Sequence, residues 1–282
     1  MTFNPIAAKS VFKCKKLIST KQANALDLGS QTSSIDANFL EFLIKEQNIS
    51  SPELISRFNE LKFKENFTTR EYFMALGFDD YFSIDINGAY NSFEFDLNSD
   101  IKNKYDFHKQ YDLVINNGTG EHVFNQANLY LNFHNLTKKN GIMLNIVPFI
   151  DWINHGFYNY NPIFFADLAA SNNYEVINIY LANRNAGELE LPKENRKILY
   201  EQIKPHRQEG EFKKVIDFAQ EKLGKNIFLI SISKKLSDDE FKYPLQGKYL
   251  DDIKDKNLGY TEQDSGSGEA LGQIADNKKR LV

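Results

Sequence analysis

Cysteine occurs once in the 282 residues, at Cys14. A single thiol closes no intrachain disulfide and builds no cysteine-based zinc cluster, so a reducing compartment, the cytoplasm, is the expected setting. An excess of one charge is missing too. Lys and Arg number 34 against 38 Asp and Glu, the formal net charge is −4, and both signs are mixed along the chain. That balance does not suit a nucleic-acid-binding surface. No segment approaches the roughly 18 unbroken apolar residues of a membrane span. Met1 to Ser10 lacks the apolar core of a signal peptide, so neither a membrane nor a nucleic acid is an expected partner. Aromatics are what the chain has in quantity, 23 Phe and 14 Tyr. They can fill the core of one large domain, or of one domain with an appendage.

Residues 1–22, with Lys13, Lys15 and Lys16 close together, read as a solvated N-terminal leader. Ala23-Asn-Ala-Leu-Asp-Leu-Gly-Ser then reads as a short buried strand ending in a Gly turn. Helical patterns follow from about Ser34 to Gln47 and from Ser51, where Ser51-Pro-Glu-Leu carries the N-cap and Pro-at-N1 signature. Another runs from Thr68 or Thr69 to Leu76 and ends at Gly77. Three short strands come next: Tyr81-Phe-Ser-Ile-Asp-Ile-Asn, Ser92-Phe-Glu-Phe-Asp-Leu-Asn and Tyr111-Asp-Leu-Val-Ile-Asn-Asn-Gly. Thr119 is the expected N-cap of a helix from Gly120 to about Leu136, ended by Lys138-Lys-Asn-Gly141. Gly141 to Val147 is a strand stopped by Pro148, Pro162 to Ala170 a helix, Tyr174 to Leu181 a strand, and Asn226 to Ser233 the last strand. A charged, mostly helical insertion occupies about 190–223. Strands interleaved with helices predict an α/β class, a Rossmann-like doubly wound sheet of seven strands within residues 23–236. Beyond it, 237–282 is an extension of low apolar density, expected to be disordered from about 261.

In an open α/β sheet, ligands bind beyond the carboxyl ends of the strands. Four successive strand ends here carry Asp, Asn or Gly. They are Asp27-Leu-Gly29-Ser30-Gln31, Asp85, Asp96-Leu97-Asn, and Asn116-Asn117-Gly118. Such residues suit turns in any protein, so each alone says little, but their recurrence in order points to a polar, hydroxyl-rich cofactor. A carboxylate can accept from both hydroxyls of a ribose, a task assigned to Asp85. Asp96 could accept from an adenine amino group while Leu97 packs on the ring. Asn116, Asn117 and Gly118 would line the polar tail, and Gly29 beside Asp27 permits close backbone approach.

The order of these motifs resembles the class I S-adenosylmethionine-dependent methyltransferases. Leu26-Asp-Leu-Gly-Ser is similar to that family's first motif, and Ser83-Ile-Asp to its ribose-binding acid. Phe95-Asp-Leu-Asn is similar to its adenine-contacting segment, and Tyr111-Asp-Leu-Val-Ile-Asn-Asn-Gly to its fourth-strand motif. Glu121-His-Val resembles the Glu-His that follows this strand in many small-molecule and quinone methyltransferases. The resemblance runs from about Asn24 to Ser233. It implies a mostly parallel seven-stranded sheet with an antiparallel last strand and S-adenosyl-L-methionine as cofactor. It also implies methyl transfer to an oxygen or nitrogen of a small molecule, and the aromatic, polar-tipped segment from Pro148 to Pro162 suits a sugar or another hydroxylated metabolite. Two departures stand out. The family's Gly-x-Gly-x-Gly loop is reduced to Gly29, so Ser30 and Gln31 would supply contacts that backbone supplies elsewhere. Asp85 also lies much further from the first strand than the roughly 20 residues of a dinucleotide fingerprint.

The segment Pro148 to Pro162 is long for a connection and mixes aromatics with His, Asp and Asn, a combination that is often functional. Trp152, Tyr158 and Tyr160 suit a substrate pocket wall with polar tips. Glu121 and Asp151 complete the expected substrate contacts. An oxygen acceptor needs a base to take its proton, and His155 and His122 are the candidates. The structural alternative is that the aromatics cap the sheet edge and Glu121-His122 fixes a helix start. No His, Asp or Glu spacing makes a metal site. The thinned glycine loop keeps a second function open, a methyltransferase-shaped binding or scaffold module without catalysis. A nicotinamide-dependent oxidoreductase is disfavoured, because Gly-x-Gly-x-x-Gly and a Tyr-x-x-x-Lys pair are both lacking.

Overall fold

The computed structural model describes residues 2–64, 66–183, 187–189 and 211–245. It divides into two compact units, residues 1–137 and 138–282.

The first unit runs β1 (Thr2–Phe3), α1 (Pro5–Leu17), β2 (Asn24–Asp27), β3 (Thr32–Ser33), α2 (Ala37–Glu46), α3 (Pro52–Lys62) and α4 (Thr69–Ala75). It continues with β4 (Asp80–Asp85), β5 (Phe93–Glu94), α5 (Ile101–Tyr105), β6 (Tyr111–Asn117) and α6 (Gln126–Leu136). Four strands lie in the order β5-β4-β2-β6, every neighbour parallel. Parallel pairing demands helical crossovers, and α2 to α4 supply the one between β2 and β4. Their starts are fixed by local chemistry. Asp36 Oδ1 accepts the Phe39 N–H at 2.8 Å, and Ser51 Oγ accepts the Leu54 N–H at 3.3 Å. Thr68 and Glu71 form a reciprocal capping box. All seven residues of β6 are buried, as a central parallel strand requires.

The solvated leader expected over 1–22 is instead a packed element. Asn4 Oδ1 caps α1 by accepting the Ile6 and Ala7 N–H groups at 3.0 and 3.1 Å, Pro5 occupies N1, and Ile6, Ala7, Val11, Phe12 and Cys14 are buried. Phe3 packs on Tyr72 and Phe73 with ring centroids 5.5 and 5.6 Å apart, and the Tyr72 hydroxyl donates to the Ala8 carbonyl at 2.8 Å. The basic cluster hid a helical apolar period, and Lys15 and Lys16 turn their ammonium groups over the Phe78 and Phe12 rings, Nζ 4.8 Å from each centroid. Phe12→Ala is therefore expected to cost about 3–5 kcal/mol in urea unfolding, where a solvated leader would give no change.

The helix expected from Gly120 begins later. Gly120–His122 is a single 3-10 turn, the Thr119 side chain makes no cap hydrogen bond, and Asn125 caps α6. The Lys138-Lys-Asn-Gly141 stretch does not form a loop but lies inside β7 (Thr137–Ile150), which opens the second unit. This unit continues with α7 (Pro162–Ser171), β8 (Tyr174–Asn183), β9 (Gly187–Leu189), α8 (Glu211–Leu223) and β10 (Ile227–Lys235). Pro148 does not stop β7 either. It faces Phe228 beside a register shift, a place where a missing N–H is tolerated. Strand β10 lies between β7 and β8 and is antiparallel to both. With β7, β8 and β10 added to the four parallel strands, the expected seven strands of a Rossmann-like fold are present, the last one antiparallel. The short β9 pairs with β8 as an additional strand.

The start of the C-terminal extension is docked. Asn172 Nδ2 donates to the Lys242 carbonyl at 2.9 Å, and its Oδ1 accepts the Lys242 N–H at 2.8 Å. Most of the helical insertion and the tail from about 261 lie outside the described residues. Among the described residues no helix is long and apolar enough to cross a membrane.

Candidate functional site

A cavity of about 260 Å³ opens in the first unit, lined by residues 28–31, 84–86, 95–98, 118–119 and 122–123. These segments leave the carboxyl ends of β2, β4, β5 and β6. Of the residues read from sequence, it brings together Gly29, Ser30, Gln31, Asp85, Asp96, Leu97, Gly118 and His122. Asp27, Asn116 and Asn117 are buried behind its wall, and so is Glu121.

Two glycines shape the floor for different reasons. Gly118 has φ +62°, a left-handed turn that favours glycine. Gly29 is needed for space, since a Cβ there would stand 2.1 Å from Thr119 Oγ1. Gln31 bridges the strand ends. Its Nε2 donates to the Asn117 carbonyl at 3.0 Å, and its backbone carbonyl accepts from Thr69 Oγ1 at 3.0 Å.

The acids divide by environment. Asp27 is wholly buried, and burial pushes its carboxyl well above the usual range, only partly offset by the Gly29 N–H and the Tyr81 hydroxyl. It braces the loop from within, Oδ1 accepting the Gly29 N–H at 3.3 Å. Asp85 is half-buried at the cavity wall, where Ser30 Oγ donates to its Oδ2 and the Asn87 N–H reaches Oδ1 at 3.4 Å. Asp96 turns inward on its own loop. Its Oδ1 accepts from the Asn98 N–H and Nδ2 at 2.9 and 3.0 Å. The Asn98 N–H, with lesser help from the Asn98 side chain, Lys104 and Ser99, holds its carboxyl below the usual range despite partial burial. Asn116 is likewise occupied, Oδ1 accepting the Gly120 N–H at 2.8 Å.

Glu121 is fully buried, and His122 Nε2 lies 3.9 Å from its Oε1 with the imidazole half exposed at the cavity. Burial pushes the Glu121 carboxyl up to about 7, against the opposing pull of its own backbone N–H. In the unfolded chain it titrates near 4.5, so its contribution to stability is complete below that pH and is lost as pH rises through 7. Glu121→Gln is therefore expected to gain stability over the wild type by on the order of 2 kcal/mol more at pH 8 than at pH 5. Urea titrations at the two pH values check this.

In the second unit, the Trp152 indole donates to the Ile227 carbonyl at 3.0 Å and packs on Phe228 and His155 with centroids 4.5 and 4.7 Å away. Tyr160 is buried against Phe164 and Phe165, and its N–H donates to the Pro148 carbonyl at 2.9 Å. Both anchor the loop. Asp151 is exposed and accepts from Gln220 Nε2 at 2.8 Å, while Tyr158 and His155 are half-buried.

Sequence reading missed Thr119, Ile86 and Val123 in the cavity wall. Ile86 left a signal: it is 68 % exposed, an apolar residue in an Asp-Ile-Asn-Gly turn where a polar one would be ordinary. Thr119 left none, because only the fold brings it over Gly29.

No family model and no curated protein matches the chain. Solved structures similar to it include a SAM-dependent methyltransferase from Archaeoglobus fulgidus, at 12 % identity over 82 % of this chain and 95 % of that one, with a TM-score of 0.40. Another is the O-methyltransferase from a trans-AT PKS multienzyme of Brevibacillus brevis, in complex with S-adenosyl-L-homocysteine. It is 13 % identical over 97 % of this chain and 84 % of that one, with a TM-score of 0.39. A third is a putative methyltransferase of Haloferax volcanii in complex with the Trm112 activator, 8 % identical over 81 % and 90 %, with a TM-score of 0.40. Likenesses this distant carry no weight for function, which rests on the residues of the cavity.

Proposed function

We propose that the chain is an S-adenosylmethionine-dependent methyltransferase acting on an oxygen or nitrogen of a small molecule. The observation that carries this reading is the single cavity wall in which Asp85, the Gly29–Thr119 approach and the apolar pair Ile86 and Leu97 meet at parallel strand ends. The residues fit the cofactor's parts. Asp85 offers a carboxylate for two ribose hydroxyls, which would take over the contact now made by Ser30. Ile86 and Leu97 offer apolar surface to a flat base, and the buried amide oxygen of Gln31 awaits a donor. Asp96, already satisfied within its turn, keeps the Leu97 segment in shape.

When bound, S-adenosylmethionine supplies an electrophilic methyl group. The chain's own task is to hold an acceptor in line and remove its proton. His122, at the cavity with Glu121 behind it, is proposed as the base. His155 is the second candidate, on a loop whose Asp151, Trp152, Tyr158 and Tyr160 are proposed to contact or support the acceptor side. A binding module without catalysis is the alternative, favoured by the lone Gly29 and by the engagement of Asp85 with Ser30.

Transfer of labelled methyl from S-adenosylmethionine to a panel of hydroxylated and amine-bearing metabolites tests the reading. His122→Ala is expected to cut turnover by about 100-fold or more with cofactor affinity retained. Cofactor binding with no transfer to any acceptor would favour the binding module.

A further inference from the structure

Gln31 stands where the loop after β2 has no second glycine, and its side chain does more than close a gap. The residue is only 7 % exposed, yet it lines the cavity. The Asn117 carbonyl takes its amide nitrogen, which settles the orientation of the group and leaves Oε1 over. That oxygen is buried and has no hydrogen-bond partner among the described residues. A buried acceptor without a donor is costly, and a ligand N–H is its complement. The charges nearby agree. The cavity-lining residues include the acids Asp85 and Asp96 but no Lys or Arg. An ammonium group is favoured there, and among the described residues that line the cavity a carboxylate meets no Lys or Arg. The amide of Asn117 offers a donor, but that residue sits behind the wall and does not line the cavity.

We propose that the cavity takes the amino-acid tail of its ligand by the ammonium group, accepted by Gln31 Oε1, and gives the tail carboxylate no charged partner. Gln31 thereby sets the tail specificity of the site. The inference rests on reading the cavity as an S-adenosylmethionine site.

Calorimetry on the full chain with four compounds tests it: S-adenosylhomocysteine, its decarboxylated analogue, its deaminated analogue, and tail-free methylthioadenosine. In the wild type, removing the carboxylate is expected to change affinity by less than about threefold, and removing the ammonium to weaken it by about tenfold or more. Gln31→Met, similar in shape, is expected to weaken S-adenosylhomocysteine and the decarboxylated analogue about tenfold and to leave methylthioadenosine within about threefold. A larger loss on removing the carboxylate than the ammonium would overturn the proposal. So would an equal loss for methylthioadenosine in Gln31→Met, which would mark the residue as merely structural. Should Gln31→Met not fold, the wild-type comparison decides alone. If methylthioadenosine binds and the tail order is reversed, only the tail inference falls. If the folded wild type binds none of the four, the cofactor reading falls and the inference with it.

Discussion

Asp85→Ala is expected to weaken binding of S-adenosylhomocysteine by at least about 100-fold. Two hydrogen bonds to a charged acceptor contribute about 1.5–3 kcal/mol each, and every 1.4 kcal/mol is about tenfold in affinity. Part of that gain is offset when ribose displaces Ser30 Oγ and the Asn87 N–H. Ser30→Ala separates the terms. It removes the competitor without touching the acceptor, so binding should hold or tighten. Because Asp85 is half-buried at the end of β4 and no helix cap depends on it, thermal stability should change little in either variant. Equal affinity in wild type and Asp85→Ala would remove Asp85 from the site.

Gly29→Ala is expected to destabilise the first unit by about 2–3 kcal/mol and to abolish ligand binding. The added methyl would stand 2.1 Å from Thr119 Oγ1, with Thr119 Cβ and Cγ2 at 3.2 and 3.3 Å. The Thr119 side chain or a strand end must move, and overpacking of this kind costs about 1–3 kcal/mol. Thr119→Ala in the Gly29→Ala background should recover most of the loss, because it removes the atom in hard contact and leaves one that needs only a few tenths of an ångström. Urea midpoints for the two single variants and the double variant give the coupling. An unchanged cost in the double variant would show that the Gly29–Thr119 approach is not the reason for glycine.

Much of this architecture was legible because it is written locally. Ser51-Pro52 and Thr68-x-x-Glu71 name two helix starts, and β6, buried throughout, reads as an apolar run ending in Asn-Asn-Gly. The failures have physical causes of their own. Helix α1 was obscured by lysines interleaved with its buried positions Val11, Phe12 and Cys14. The α6–β7 junction was misplaced because Lys138-Lys-Asn-Gly141 has turn composition but runs inside a strand. In the site, Asp85, Gly29 and Leu97 could be placed from strand-end logic alone. What could not be read was how the acids are used. That Asp27 braces from within and Asp96 caps its own turn follows from burial and local hydrogen bonds, while Asp85 remains at the cavity wall. Gln31 was legible only as a stand-in for the missing glycines and Thr119 only as a helix start; what each does was not, because each acts through a partner distant along the chain, Asn117 and Gly29 respectively.

Whether the strand ends of the first unit form a nucleoside cofactor site is decided by calorimetric titration of the folded full chain with S-adenosylmethionine. Saturable one-site heat at micromolar to sub-millimolar ligand, lost in Asp85→Ala, is expected. No heat at millimolar ligand, with the protein shown to be folded, would contradict it.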